Sequence, residues 1–174
     1  MASHLGHFLS FYILYILFPH LNPIALFIAS QLPDLDYVQG YVLALMRKKG
    51  IFGSYTLLEP KSMHTLLWAA LFLLPLGIVF TVIISLVLSV PYALPSIVSS
   101  VIIGLSIHLL IDLPGHRNLP LFRPFKDFPQ NPVLFRYKFS FLRLDDTHAR
   151  EWSYIIVADT ILAISAIAVT ILKQ

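Results

Sequence analysis

Residues 65–111 read TLLWAALFLLPLGIVFTVIISLVLSVPYALPSIVSSVIIGLSIHLLI and contain no Asp, Glu, Lys or Arg. A helix needs about 20 mostly apolar residues to cross ~30 Å of hydrocarbon. This stretch holds enough for two such helices, joined at the uncharged, proline-bounded turn 91–95. The same shortage of charge recurs on either side. Residues 1–33 carry none of the four charged types, and from 152 to 172 the only one is Asp159.

The totals agree with this local reading. Of 174 residues, 57% are hydrophobic and 12% charged, with mean hydropathy +0.80, whereas a soluble domain carries about 25% charge. A soluble enzyme, a disordered chain and a nucleic-acid-binding domain are excluded on this balance. The length suits a single domain over 1–174. With no cysteine, disulfides, iron–sulfur clusters and zinc fingers are excluded. The N-terminus lacks the basic segment of a secretory signal peptide, so the first apolar stretch is expected to remain in the protein.

That first stretch is interrupted by Pro19-His20-Leu21-Asn22-Pro23. Proline removes a backbone donor and disfavours helix in the residue before it, and Asn favours a turn. Two short helices are expected, about 7–18 and 24–32. Each is ~13–18 Å long at 1.5 Å per residue, too short to cross. The expected fold is therefore an all-α integral membrane protein, with an N-terminal re-entrant helical hairpin and three transmembrane helices. The spans fall at about 64–90, with a kink at Pro75, then 96–113 and 149–172. Residues 39–63 read as a polar loop with a short amphipathic helix near 41–46. In 114–147, Phe135, Tyr137, Phe139 and Phe141 alternate with polar residues, the period of a strand. This interfacial loop is expected to carry a short β-hairpin.

Eleven of the twelve Lys and Arg residues lie in two segments, 47–61 and 117–150. If the N-terminal element is a hairpin, both segments emerge on one face, which the positive-inside rule makes cytoplasmic. The protein is thus expected in the cell (inner or plasma) membrane. Its basic and aromatic loop is expected to meet anionic headgroups of the lipid bilayer, not nucleic acid.

Ionisable groups at the ends of apolar helices are costly and usually functional. Here they recur as His7, as Asp34 and Asp36 of LPDLD, as Glu59 and His64, as His108 and Asp112, and as His148 and Glu151. Each has an ordinary reading too. His108 and Asp112 share a helix face at i, i+4 as metal ligands or as a mutually satisfied pair. LPDLD suits a metal or a solvated turn, His64 an interfacial position, and His148 with Glu151 a helix cap. What distinguishes them is that all are expected near one membrane face. His116 could extend the set, and Asp159 is either functional or a satisfied buried carboxyl.

A mixed nitrogen and oxygen set without thiols suits catalytic zinc, with manganese or iron as alternatives. The number of carboxylates and histidines is enough for two or three ions. Such sites activate water and clamp a phosphoryl group. An amphiphilic phosphorylated substrate would fit the location, with Asp34 or Glu151 as the base. A metal-ion transporter or sensor would use the same ligands without turnover, but the spans offer few polar groups for a route. A structural membrane protein with a metal staple is the other alternative.

In order along the chain, Gly6-His7, LPDLD followed by Tyr37, Met63-His64-Thr65, His108 to Asp112, Arg123-Pro124 and Glu151 resemble the LexA-regulated inner-membrane metal-dependent hydrolase family. That family's pattern runs GH, LPDIDH, HRGxTHS, HxxxD, WP and a late Glu opening a helix. The clearest departure is at HRGxTHS, where Glu59 takes the first His position and Pro60-Lys61 replaces Arg-Gly. The family is distantly similar to the zinc-dependent phospholipase C and nuclease superfamily, all-helical phosphodiesterases with a trinuclear zinc cluster. The resemblance implies metal-dependent phosphoester hydrolysis.

Overall fold

The computed structural model describes residues 4–35, 65–90, 93–112 and 146–173, with 146–153 described by their backbone alone. The described residues form five α-helices and no strand. They are α1 (His4–Leu17), α2 (Pro23–Gln31), α3 (Leu66–Val87), α4 (Leu94–Asp112) and α5 (Asp146–Leu172). Helix α3, helix α4 and the Tyr154–Leu172 part of α5 are long and apolar enough to cross a membrane, with mean hydropathies of 2.7, 2.1 and 2.5. The amphipathic helix expected near 41–46 and the strand expected at 135–141 lie outside the described residues.

The prolines divide the first apolar stretch where expected. Helix α1 stops at Leu17, and Leu21 donates its N–H back to the Phe18 carbonyl to close the turn. Asn22 then caps α2: its Oδ1 accepts from Ala25 N at 2.9 Å, and Pro23 occupies the first turn. There its missing N–H would have no helical partner anyway. Helix α2 tightens at its far end into a single 3-10 turn, Leu32–Asp34, which contains Pro33. The two helices have 14 and 9 residues, and they form an antiparallel hairpin with His7 and Asp34 side by side at its open end.

Near Pro75 the helix is interrupted by a wider turn. The five residues Ala69–Leu73, which end two positions before Pro75, form a π-helical turn in which Leu74 N–H reaches the Ala69 carbonyl. Proline offers no N–H, and its ring crowds the carbonyl four residues back. Widening the preceding turn by one residue accommodates both conflicts. Pro95, expected in the turn, instead lies in the first turn of α4, where a missing donor costs nothing. Helix α3 ends with Val90 N–H on the Ser85 carbonyl and Ser89 at φ 54°, a Schellman-type stop.

Helix α2 is the centre of the bundle, packed mainly on α4 and also on α1 and α3, while α5 lies along α1. Its buried residues are small: Ala25, Ala29 and Ser30 surround Leu26. The facing stripe of α4 repeats every fourth residue and is small at Ser96, Ser100 and Gly104 before it reaches His108 and Asp112. Small residues let two helix backbones approach closely. Three hydrogen bonds fix the register along this stripe. Ser96 Oγ donates to the His20 carbonyl (2.9 Å), Asn22 N–H to Ser100 Oγ (2.7 Å), and His108 Nδ1 to the Ser30 carbonyl (2.7 Å). Ala69 and Leu73 of α3, with Ile97, Val101, Leu105 and Leu109 of α4, complete the core. Leu71, Phe72, Val79, Phe80 and Ile83 of α3 and Ile161, Ile164 and Ile167 of α5 face outward.

Gly104 carries the closest approach. A Cβ there would lie 2.7 Å from the Ala29 Cβ and 3.1 Å from the Leu26 carbonyl oxygen. Gly104→Ala is expected to lose about 1–3 kcal/mol by overpacking, outweighing the ~1 kcal/mol that alanine gains in helix propensity. Thermal unfolding in detergent, followed by helical circular dichroism, should show a lower midpoint, whereas Ile102→Ala on the outward face of α4 should change it little. An unchanged Gly104→Ala midpoint would mean that the helices are not so close.

Candidate metal centre

Four side chains converge at the open end of the hairpin: His7 of α1, Asp34 of the 3-10 turn, and His108 and Asp112 of α4. One ligand atom from each lies within 4.8 Å of the others. His7, His108 and Asp112 are completely enclosed, and Asp34 retains 6% of its exposure. The i, i+4 spacing carries His108 and Asp112 to one face, towards α2. Pro33 and the 3-10 turn bend the chain after α2, which leaves Asp34 buried against them.

The nitrogen–oxygen distances are informative. His7 Nε2 lies 3.4 Å from Asp112 Oδ1 and 4.0 Å from Asp34 Oδ2. His108 Nε2 lies 3.6 Å from Asp112 Oδ2 and 3.7 Å from Asp34 Oδ1. These contacts are longer than an N–H···O bond of ~2.9 Å. They suit atoms that share an ion, since two ligands each ~2.1 Å from a metal stand ~3.4 Å apart at the tetrahedral angle.

The outer partner of His108 is equally specific. A carbonyl oxygen only accepts, so the 2.7 Å contact with Ser30 puts the proton on Nδ1. In the neutral ring the Nε2 lone pair then points at the carboxylates. This is how metal-binding histidines are usually held. His7 differs, because neither of its buried ring nitrogens has a hydrogen-bond partner among the described residues. An enclosed imidazole whose nitrogens make no hydrogen bond is costly. A divalent cation would use the His7 nitrogen and offset the carboxylate charge together. The donor set therefore fits a metal ion: two imidazoles, two carboxylates and no thiol, suited to zinc, manganese or iron.

Of the other residues singled out in the sequence, Asp36, Glu59, His64 and His116 lie outside the described residues. His148 and Glu151 fall in the first turns of α5 by their backbone, and their side chains lie outside the described set. The start of α5 does approach the centre, because Tyr154 Oη donates to the Ile111 carbonyl at 2.7 Å, one residue before Asp112. Asp159 is partly buried further along α5, and His20 is exposed in the hairpin turn at the opposite end of α2. Ser30 gives no signal in the sequence because it acts through its carbonyl, whereas Gly104 is legible one turn before His108 on the same face.

Comparison with protein-family models, curated proteins and solved structures finds no match.

Asp112→Asn keeps the shape but removes a charge from the ligand set. It should weaken zinc binding by more than the ~10–100-fold typical of losing an outer partner. Zinc titration of the detergent-purified protein, with elemental analysis after desalting, measures this directly. The wild type should also unfold at higher temperature with added zinc, as expected for a ligand that binds only the folded state, and the variant should not.

Proposed function

We propose that this chain is a membrane-embedded metal-dependent hydrolase, probed best as a phosphoesterase of amphiphilic substrates at the cytoplasmic interface. The observation that carries this reading is the enclosed cluster of His7, Asp34, His108 and Asp112 at one end of a bundle of apolar helices. The resemblance to the LexA-regulated inner-membrane hydrolase family supports it.

Helix α1 is ~21 Å long and α2 ~14 Å at 1.5 Å per residue, so the hairpin is read as re-entrant. Its turn binds Ser96 and Ser100, ~18–24 Å along α4 from Asp112 at the same rise. The other three helices are read as spans. The two basic segments join the helices at the end that holds the metal cluster, after Asp34 and Asp112. Positive-inside orientation then turns that end to the cytoplasm and leaves Lys173 opposite. A substrate with its headgroup at that interface and its chains in lipid would meet the cluster without leaving the bilayer.

A divalent ion bound there supplies Lewis-acid activation of water and charge neutralisation at a phosphoryl group. The protein's own contribution is to hold the ligands rigidly, through the Ser30 carbonyl behind His108 and the α2–α4 contact behind both histidines. Asp34 is the carboxylate that keeps some access to the outside, which suits it to accept a proton, and Glu151 is a second candidate base. The Arg and Lys residues of the two basic segments would draw an anionic headgroup towards the cluster.

Purified protein supplied with zinc or manganese should hydrolyse a phospholipid or prenyl phosphate in mixed micelles, read as released headgroup or phosphate. Asp112→Asn and His108→Ala should each reduce turnover by at least on the order of 100-fold, the scale of removing a group that acts in the transition state. His20→Ala, at the far end of the hairpin, should leave it intact. Full activity in both cluster variants would overturn the assignment.

A further inference from the structure

The turn between α1 and α2 is half enclosed and half bare. Leu21 and Asn22 are buried, whereas Phe18, Pro19 and His20 are exposed. The His20 carbonyl accepts from Ser96 Oγ at 2.9 Å, but the His20 N–H has no hydrogen-bond partner among the described residues. The imidazole meets the Phe18 ring edge to face, with centroids 6.1 Å apart. An exposed backbone donor is not stable in hydrocarbon, because lipid tails offer it no acceptor. The His20 N–H must therefore reach water or a headgroup.

The register along α4 sets the depth at which it does so. Helix α4 has 19 residues, ~28 Å at 1.5 Å per residue, close to the ~30 Å of a hydrocarbon core. Ser96 is its third residue and Asp112 its last. Helix α2 runs parallel to α4, with Asn22 on Ser100 and Ser30 on His108. The hairpin therefore matches the depth of α4 to within about two residues, or ~3 Å. Helix α1 alone is too short for this, and the turn supplies the remainder. Its tip stands level with the start of a membrane-length helix, at the end away from His7, Asp34, His108 and Asp112. An imidazole, with its apolar body and polar edge, suits that boundary.

We propose that the hairpin tip, Phe18-Pro19-His20, docks on lipid headgroups of the leaflet opposite the metal-binding end. The His20 N–H and imidazole recognise an oxygen acceptor there, a phosphate or an ester carbonyl. Residues 1–33 contain no Asp or Glu, so no charge on the tip repels a phosphate. The hairpin thus enters and leaves on one side of the membrane while its tip is read from the other. This inference rests on the reading of α3, α4 and α5 as spans and is independent of the metal.

The chain has no cysteine, so single cysteines report its topology without background. Cells carrying the full-length protein in the plasma membrane are treated with a membrane-impermeant maleimide, before and after permeabilisation. The variants are His20→Cys, Lys48→Cys in the first basic segment, Lys173→Cys, and Ile161→Cys on the outward face of α5. His20→Cys should react from the side of Lys173→Cys and opposite to Lys48→Cys, while Ile161→Cys should not react from either side. In phospholipid nanodiscs, a nitroxide on His20→Cys should broaden the lipid phosphorus resonance more than one on Ile161→Cys. Phe18→Cys, exposed in the same turn, repeats both measurements if the His20 variant fails to insert. A tip shielded from both sides, or labelled from the side of Lys48→Cys, would overturn the proposal. Labelling from the far side without the broadening would overturn the headgroup contact and put the tip in a water-filled recess. Lys48→Cys and Lys173→Cys labelled from one side would overturn the span reading and the inference with it.

Discussion

The approach of α2 to α4 at Gly104 is the contact on which the polar part of the structure depends. Because no side chain stands between Gly104 and the Ala29–Leu26 backbone, the Ser30 carbonyl comes within hydrogen-bonding range of His108. The same closeness lets the hairpin turn bind Ser96 and Ser100. These three anchors hold α2 in one register along α4. They bring Asp34, just beyond the end of α2, to the level of His108 and Asp112. Helix α1 follows through its tight turn, and His7 completes the cluster. A displacement of α2 by one side-chain thickness would separate two of the four ligands from the other two.

That arrangement matters because the surroundings are apolar. In water, two carboxylates and two imidazoles at these distances are unremarkable. Enclosed at the end of a hydrophobic bundle, they form a group that could hold a metal ion. This links the packing of small residues to the chemistry proposed: the stripe that brings the helices together also gathers carboxylates that favour metal binding.

Much of this was legible in the chain before its fold was known. The absence of charge over 65–111 is enough to demand membrane-length helices, because nothing else buries so many apolar residues in a chain this short. The pair of prolines around Asn22 divides the first stretch, because backbone donors and steric limits act locally. His108 and Asp112 share a face by helical period alone. Other features yielded less. Pro75 marks a disturbance in α3, but the π-helical turn at Ala69–Leu73 that accompanies it is seen only in the folded helix. Pro95 fits a turn as well as the first turn of α4 on sequence alone, since a proline in either place looks alike when the flanking residues are uncharged.

The sequence by itself determined the membrane-length apolar helices, the helical class and the residue types available for chemistry, because each follows from composition or from neighbours within one or two turns. Only the tertiary structure decided which ionisable groups meet. His7 and Asp112 are separated by most of the described chain, and their 3.4 Å contact follows from helix packing, not from any local preference. The stacking of His7 on His108 and the splitting of each carboxylate between them are likewise products of three-dimensional register. A one-dimensional pattern carries ligand identity, whereas the direction of a lone pair exists only once the helices are in place.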